Sequence, residues 1–507
     1  MAWAATGVRG SGSHPSVDAT VEGWHARKLA TSTFATVLSP ALGAGRTGNA
    51  STAGGITVTA PLEDVVRPRW PGLDLDFHQA LMEEGRTPDG EALRTKAQDR
   101  FQFAEGKPFL LGPAQMVKAE YSRRFRDVTA MYHRAIQAIV DASYEDEAVR
   151  RALSTPPDLA ADLKADLDPR NAKVHICRLD LMLDPDGGFW ILETNANCPG
   201  GFVFSGICNR AWREFMEERG YRMPPALEHE EKGFMAKWFL DVIAEDTKAR
   251  PDYIALLREE GGNRLELGDF AKHVAWEGIE CTEVDPRQIC YDPAGGPHPT
   301  VEGRPVTHAY QKLGMQPFQK HRKDLDCFVH AVRDRALFVQ NGQRGRWVGD
   351  DKLCLAIISD PDFSYLFDAD DYEELQKHVP WSRNLRLVAP DVQEEVRRNR
   401  SRYVLKKGLD TRGRGVVVGT GVTEEDWDVA VQRGADEGWL VQHFHPTCWV
   451  ERDFDAPALQ RHDLALGAIN GRLTTLFMRS SGELRVNMAR TGRMHPVFMD
   501  SDPVVAS

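Results

Sequence analysis

Along residues 174–195 apolar and polar side chains alternate with a period of two, which predicts a strand, a tight turn and a return strand. Cys177, Leu179, Leu181 and Leu183 fall on one side, and Ile176, Arg178, Asp180 and Met182 on the other. The turn is Asp184-Pro185-Asp186-Gly187-Gly188; beyond it Trp190 and Leu192 are expected on one face, and Glu193 and Asn195 on the opposite one. Upstream the period lengthens, so that "DFHQALMEEG" and the long "AEYSRRFRDVTAMYHRAIQAIVDASY" predict amphipathic helices. Downstream, helices near 232–246 and 266–277, short strands such as "IECTEVD" and the turn-rich "YDPAGGPHPTVEGRP" predict a small α/β unit. Further on, "YVLK" and "VVV" predict strands around a glycine-rich turn, "TEEDWDVAVQRGADEG" a helix capped by Thr423, and "WLVQHF" another strand. Residues 1 to about 60, rich in Ala, Gly, Ser and Thr, hold no sustained period; they predict an added tail, with an organelle-targeting segment as the alternative.

Composition narrows the partners. A chain of 507 residues is too long for one core, so two or three domains are expected. Its net charge of −12 argues against nucleic acid or an anionic membrane as the main partner, because both demand clustered positive charge, and small molecules fit better. No run of about 18 apolar residues predicts a membrane span. The eight cysteines are scattered without zinc-ligand spacing, the pattern of a reducing compartment, so a soluble cytoplasmic protein is expected; homo-oligomerisation stays open.

The hairpin carries the first candidate chemistry. A register that sets Arg178 and Asp180 beside Asn195 and Glu193 would converge two carboxylates and an amide oxygen, hard donors suited to Mg²⁺, while Arg178 offers a terminal phosphate a fork of donors. The plain alternative is a solvated hairpin face with cross-strand ion pairing. The loop "ANCPGGFVFSG" that follows favours the metal, since its small residues let backbone approach a ligand. Cys198 in that loop has no paired histidine and is read as a packing residue in preference to a thiol nucleophile.

A second candidate lies more than two hundred residues on. Lys406 ends a strand at the edge of "KGLDTRGRG", whose backbone N–H groups, with Gly413, Arg414 and Gly415, can close over phosphates. It is no Walker loop, and a Gly-Arg turn can also be only a turn. The extended Val441-Gln442-His443-Phe444 is positioned to offer backbone groups to adenine, and Arg479 and Asn487 stand on strand-like segments beyond.

Together these segments resemble the circularly permuted ATP-grasp family, which includes glutathionylspermidine synthetase-like ligases. "RLDLMLD…WILETNANCPGG" is similar to that family's R-x-D…E-x-N-x-x-P segment, which here precedes the nucleotide lysines. "FVQNGQRGRWVGDDKLCLAII" resembles its Asn…Lys stretch, which implies a phosphate role for Lys352, and "HVPWSRNL" resembles its Pro-Trp-Thr-Arg segment with Ser382 in place of Thr. "YVLKKGLDTRGRGVVVG" resembles the second lysine and flexible loop, implying nucleotide contact by Lys406, and "VQHF" resembles the adenine hinge. Lys407 stands where proline is usual and His443 where Glu or Gln is usual. The resemblance implies an α/β (α+β) ATP-grasp fold in permuted order: a flexible extension over 1–65, a metal-binding half over 66–230, a smaller substrate-side α/β domain over 231–337 and a nucleotide-binding half over 338–507.

It also implies ATP with Mg²⁺ (or Mn²⁺) on Asp180, Glu193 and Asn195, and Lys352, Lys406, Arg178 and Arg479 around the phosphates. The expected reaction is ATP-dependent ligation of a small carboxylate to an amine through an acyl phosphate, releasing ADP and phosphate. Two other readings are a phosphotransferase that stops at a phosphorylated product, and a nucleotide-binding module without turnover.

Overall fold

The computed structural model describes residues 69–101, 109–153, 155–197, 199–260, 266–410, 413, 415–447, 449–452, 454, 457–486, 488 and 492–500. The expected N-terminal tail, Cys198, Arg414 and Asn487 lie outside the described residues.

Three sheets position the site. The largest has eight strands, in the order Leu110–Leu111, Arg493–Met499, Arg472–Ser481, Pro457–Ile469, Ile176–Leu183, Phe189–Asn195, with Trp449–Arg452 and Gln115–Val117 pairing off this path. Its middle pairs Pro457–Ile469 with Ile176–Leu183 antiparallel, so residues nearly three hundred positions apart in sequence share one ladder. Cys177, Leu179, Leu181 and Leu183 point into a core with Phe125, Val128, Tyr132, Ile136 and Ile139 of helix Ala119–Ala142. Those helical positions recur at three and four residues, as the sequence predicts, and each full burial of such a side chain contributes roughly 1.5–3 kcal/mol. Helix Phe202–Glu217 packs with Phe477, Met494 and Phe498 in a second core.

A four-stranded parallel sheet, in the order Phe338–Val339, His308–Gln311, Tyr253–Leu257, Glu280–Val284, forms the α/β unit with helices Phe234–Thr247 and Leu267–Trp276. The third sheet is antiparallel, in the order Ser382–Asn384, Leu440–His443, Tyr403–Lys406, Val416–Val418. Its apolar core holds Leu405, Val441 and Trp439 together with Trp427 and Val431 of helix Glu424–Glu437, whose N-cap Thr423 accepts from Asp426 N.

One buried asparagine joins the segment 340–352 to the hairpin. Asn341 Oδ1 accepts from the N–H groups of His175 and Ile176 at 2.8 and 3.0 Å, and Nδ2 donates to Ile176 O at 2.7 Å and Ala196 O at 2.6 Å. Its φ of 63° suits asparagine better than most residues. Gly342 follows with φ +55°, and a Cβ there would lie 2.4 Å from Asn171 O, so no other residue fits. Asn341→Ala is expected to strand four buried backbone groups and lower stability by about 3–5 kcal/mol, read as a shift in the urea midpoint at constant m-value.

Candidate functional site

The hairpin register is Arg178↔Asn195 and Asp180↔Glu193, so these four residues lie side by side as their spacing predicts. The face assignment on the return strand differs from the simple alternation. Pairing resumes at Leu181↔Ile191, leaving Leu192 as an extra residue, a β-bulge. Met182 pairs with Trp190, and Met182 shares a face with Asp180; Trp190 therefore stands on the same face as Glu193 and Asn195, not on the opposite one. The bulge has a chemical consequence. It turns the Leu192 carbonyl out of the ladder, where it accepts from Lys406 Nζ at 2.8 Å.

Lys406 arrives from the third sheet, paired with Leu440 and Val416. Its ammonium also donates to Gln442 Oε1 at 2.8 Å, while Gln442 Nε2 donates to Ser382 Oγ at 3.0 Å and Ser382 Oγ to Pro380 O at 2.8 Å. Gln442 thus orients a lysine. Burial pulls the Lys406 ammonium down to a pKa of about 8, helped by Lys352 and opposed by Glu193 and Asp180. Lys352 is buried as well, yet Glu193, Asp350, Asp351 and Asp410 outweigh the burial and hold its pKa above the ordinary lysine value.

Lys352 reaches the hairpin because the segment before it is stapled down. Asp350 Oδ1 accepts from the N–H groups of Ala196 and Asn197 at 2.8 and 3.0 Å, and buried Arg346 donates to Asn197 O and to Gln340 O. Lys352 Nζ then sits 3.6 Å from Glu193 Oε2 and donates to Asp410 O at 2.7 Å, touching the hairpin and the glycine loop at once. Burial raises the Asp350 carboxyl to about 6. In the same loop Gly413 and Gly415 take φ of 67° and 52°, and Arg485 donates to Gly413 O at 2.6 Å.

The acid end is dense with arginine. Arg178 meets Asp180 through Nε at 2.7 Å and Nη2 at 2.9 Å, and its Nη1 donates to Gly200 O at 2.9 Å. Arg479 Nη2 lies 2.9 Å from Asp180 Oδ2, and the same guanidinium donates twice to Asp463, at 2.8 and 2.7 Å. Burial opposes the charge of Asp180, but the two guanidiniums prevail and hold its carboxyl well below the usual range. Asn195 Nδ2 donates to Asp180 Oδ2 at 3.2 Å, which directs Asn195 Oδ1 away from that carboxylate.

Among the described residues no group of three or more His, Cys, Asp and Glu is arranged as a metal cage. The side chains nonetheless fit a magnesium ion held mainly by phosphate and water: the carboxylates of Asp180 and Glu193 share one face with Asn195, whose amide oxygen would come to the ion by a flip of the amide that now donates to Asp180.

Val441 and Gln442 lie in a strand paired on both sides, His443 N donates to Trp381 O at 2.9 Å, and Phe444 N donates to Arg402 O at 2.8 Å. The N–H groups of His443 and Phe444 are engaged by protein carbonyls; the His443 ring packs in a triangle with Trp381 and Tyr403, at centroid distances of 5.0 and 5.4 Å. Sequence reasoning missed Asp350, Asp463 and the bulge at Leu192. A lone acid on the otherwise apolar alternation of "DLALGAI" was the available signal for Asp463.

No family model matches this sequence, and no curated protein does. Among solved structures, a glutathione synthetase-like effector from Globodera pallida, in its apo form, matches with a TM-score of 0.53 at 15% identity, over 83% of this chain and 97% of that one. D-alanyl-alanine synthetase A from Vibrio cholerae matches with a TM-score of 0.27 at 11% identity, over 46% of this chain and 68% of that one, a likeness too weak to bear on the fold. The first likeness shows a shared α/β fold. Among the described residues no helix is long and apolar enough to cross a membrane.

Proposed function

We propose that this protein is an ATP-grasp carboxylate–amine ligase in circularly permuted order, joining a small acid to an amine with release of ADP and phosphate. The observation that carries this reading is convergence: Lys352 and Lys406, from separate segments, both reach the hairpin strand that bears Glu193 and Asn195. Likeness of fold to a glutathione synthetase-like protein supports it.

The chemistry follows from charge. A carboxylate and a triphosphate repel each other, so their reaction needs positive groups fixed in advance. Arg178, Arg479, Lys352 and Lys406 supply them, each now balanced by protein carboxylates or carbonyls that a phosphate oxygen can replace. Asp180, Glu193 and Asn195 would hold magnesium, which when bound neutralises phosphate charge. Gly413, held by Arg485, and Gly415, whose carbonyl accepts from Lys407 N, belong to the segment that would shield the acyl phosphate from water.

With a cognate acid and amine, ADP and free phosphate are expected in equal amounts beside an amide product, and hydroxylamine in place of the amine is expected to yield a hydroxamate. Mass spectrometry and coupled ADP and phosphate assays check this. A lasting phosphorylated compound without free phosphate would show a phosphotransferase, and no acid-dependent release of ADP with an acid shown to bind would show a binding module.

A further inference from the structure

Asp463 is an acid that the ligase reading does not use, and its geometry gives it work. It lies on strand Pro457–Ile469, directly across the ladder from Arg479. Both of its oxygens accept from that guanidinium, at 2.8 and 2.7 Å, while Arg479 Nη2 also reaches Asp180 Oδ2 at 2.9 Å. One arginine is therefore shared between two carboxylates. The side chains are 15% exposed for Arg479, 3% for Asp180 and 10% for Asp463, so none can turn to bulk solvent for a substitute partner.

Asp180 is overcommitted in this arrangement. Its Oδ2 accepts from Arg178 Nη2 and Asn195 Nδ2 at 2.9 and 3.2 Å, and is ion-paired with Arg479 Nη2 at 2.9 Å. A divalent cation needs one of those lone pairs, and a guanidinium seated on the carboxylate competes with it by charge and by position. Arg479 is the cation with somewhere else to go, because its two hydrogen bonds to Asp463 persist when the ion pair with Asp180 breaks.

We propose that Asp463 is a positioning residue that holds Arg479 off Asp180 when magnesium and nucleotide enter, freeing Asp180 for the ion and keeping the guanidinium beside the phosphates. This rests on the metal reading of the hairpin. Without the charge of Asp463, Arg479 falls wholly onto Asp180 and blocks the ion; without Arg479, Asp463 has nothing to hold and its loss does not matter. The partnership predicts a non-additive pair.

The test is Mn²⁺ binding, followed by electron paramagnetic resonance in the presence of saturating non-hydrolysable ATP analogue, on the full chain. Asp463→Asn is expected to raise the Mn²⁺ half-saturation about 10-fold, Arg479→Gln to leave it equal or tighter, and the double variant to match Arg479→Gln within about 2-fold. Circular dichroism melts accompany each protein, and if Asp463→Asn does not fold, the Asp463→Glu variant, which keeps the charge and a longer reach, is expected to bind Mn²⁺ within about 3-fold of the unaltered chain. An unchanged half-saturation in Asp463→Asn, or a 10-fold loss that persists in the Arg479→Gln background, overturns the proposal. A chain that binds no Mn²⁺ with the analogue overturns the metal reading and this one with it, whereas normal binding with additive variants overturns this one alone.

Discussion

Lys406→Met is expected to weaken binding of a non-hydrolysable ATP analogue by about 10²-fold, since a charge-assisted hydrogen bond to phosphate contributes roughly 1.5–3 kcal/mol. The fold should tolerate the change. Burial holds the ammonium at a pKa of about 8, well below its unfolded value, so at neutral pH the folded chain already bears a penalty of about 3 kcal/mol for keeping it charged. Methionine removes that penalty, at the expense of leaving Leu192 O and Gln442 Oε1 without their donor. These effects oppose each other at similar size, and thermal stability is expected to stay within about 1–2 kcal/mol.

The same pKa sets a pH dependence with a definite sign. The folded value lies below the unfolded one, so the unfolded chain binds more protons between the two; the penalty is fully present below about pH 8 and is relieved as pH rises toward the unfolded lysine value. Nucleotide affinity should move the opposite way. Phosphate favours the ammonium, so above about pH 8 binding must first protonate Lys406, and affinity falls with proton uptake visible in calorimetry across buffers of different ionisation enthalpy. In Lys406→Met that proton uptake should vanish. Wild-type affinity in the variant would mean that the ammonium serves only Leu192 and Gln442.

What the sequence disclosed is local. Period-two alternation placed Asp180 opposite Glu193, and the helix and cap at Thr423 follow from residues within one turn of each other. The remainder depends on contacts between distant segments. Nothing near Leu192 announces a bulge: it arises where pairing slips by one residue while Lys406, more than two hundred positions away, takes the freed carbonyl. Asp463 gains meaning only beside Arg479, and Asp350 only beneath the amides of Ala196 and Asn197. The expected hinge depends on scale in the same way. An extended "VQHF" offers backbone groups when viewed alone; in the fold its strand is one of the two inner strands of its sheet, and neighbours engage the N–H groups of His443 and Phe444.

Glu193→Gln is expected to keep nucleotide affinity within a few-fold while turnover falls by about 10²-fold or more, because a carboxylate that helps hold the metal acts mainly on charge developing in the transition state. Affinity should survive because the phosphate contacts come from lysines and arginines whose anchors lie elsewhere: Lys406 on Leu192 O and Gln442, Lys352 on Asp410 O, Arg479 on Asp463. Glutamine keeps the shape and one oxygen but loses the charge 3.6 Å from Lys352 Nζ. Lys352 then loses the largest of the carboxylate influences that hold its pKa up against burial, while the others persist, so it stays charged at neutral pH and the loss falls on the metal. Turnover in the unaltered chain should require Mg²⁺ or Mn²⁺, and excess metal should recover part of the variant's rate if weakened ion binding is the cause. Steady-state rates of ADP release against metal concentration, paired with calorimetry of the analogue, separate the two effects. Full turnover in excess chelator, or a variant as fast as the unaltered chain, would remove the metal from Glu193 and with it the reading of the hairpin as the acidic half of the site.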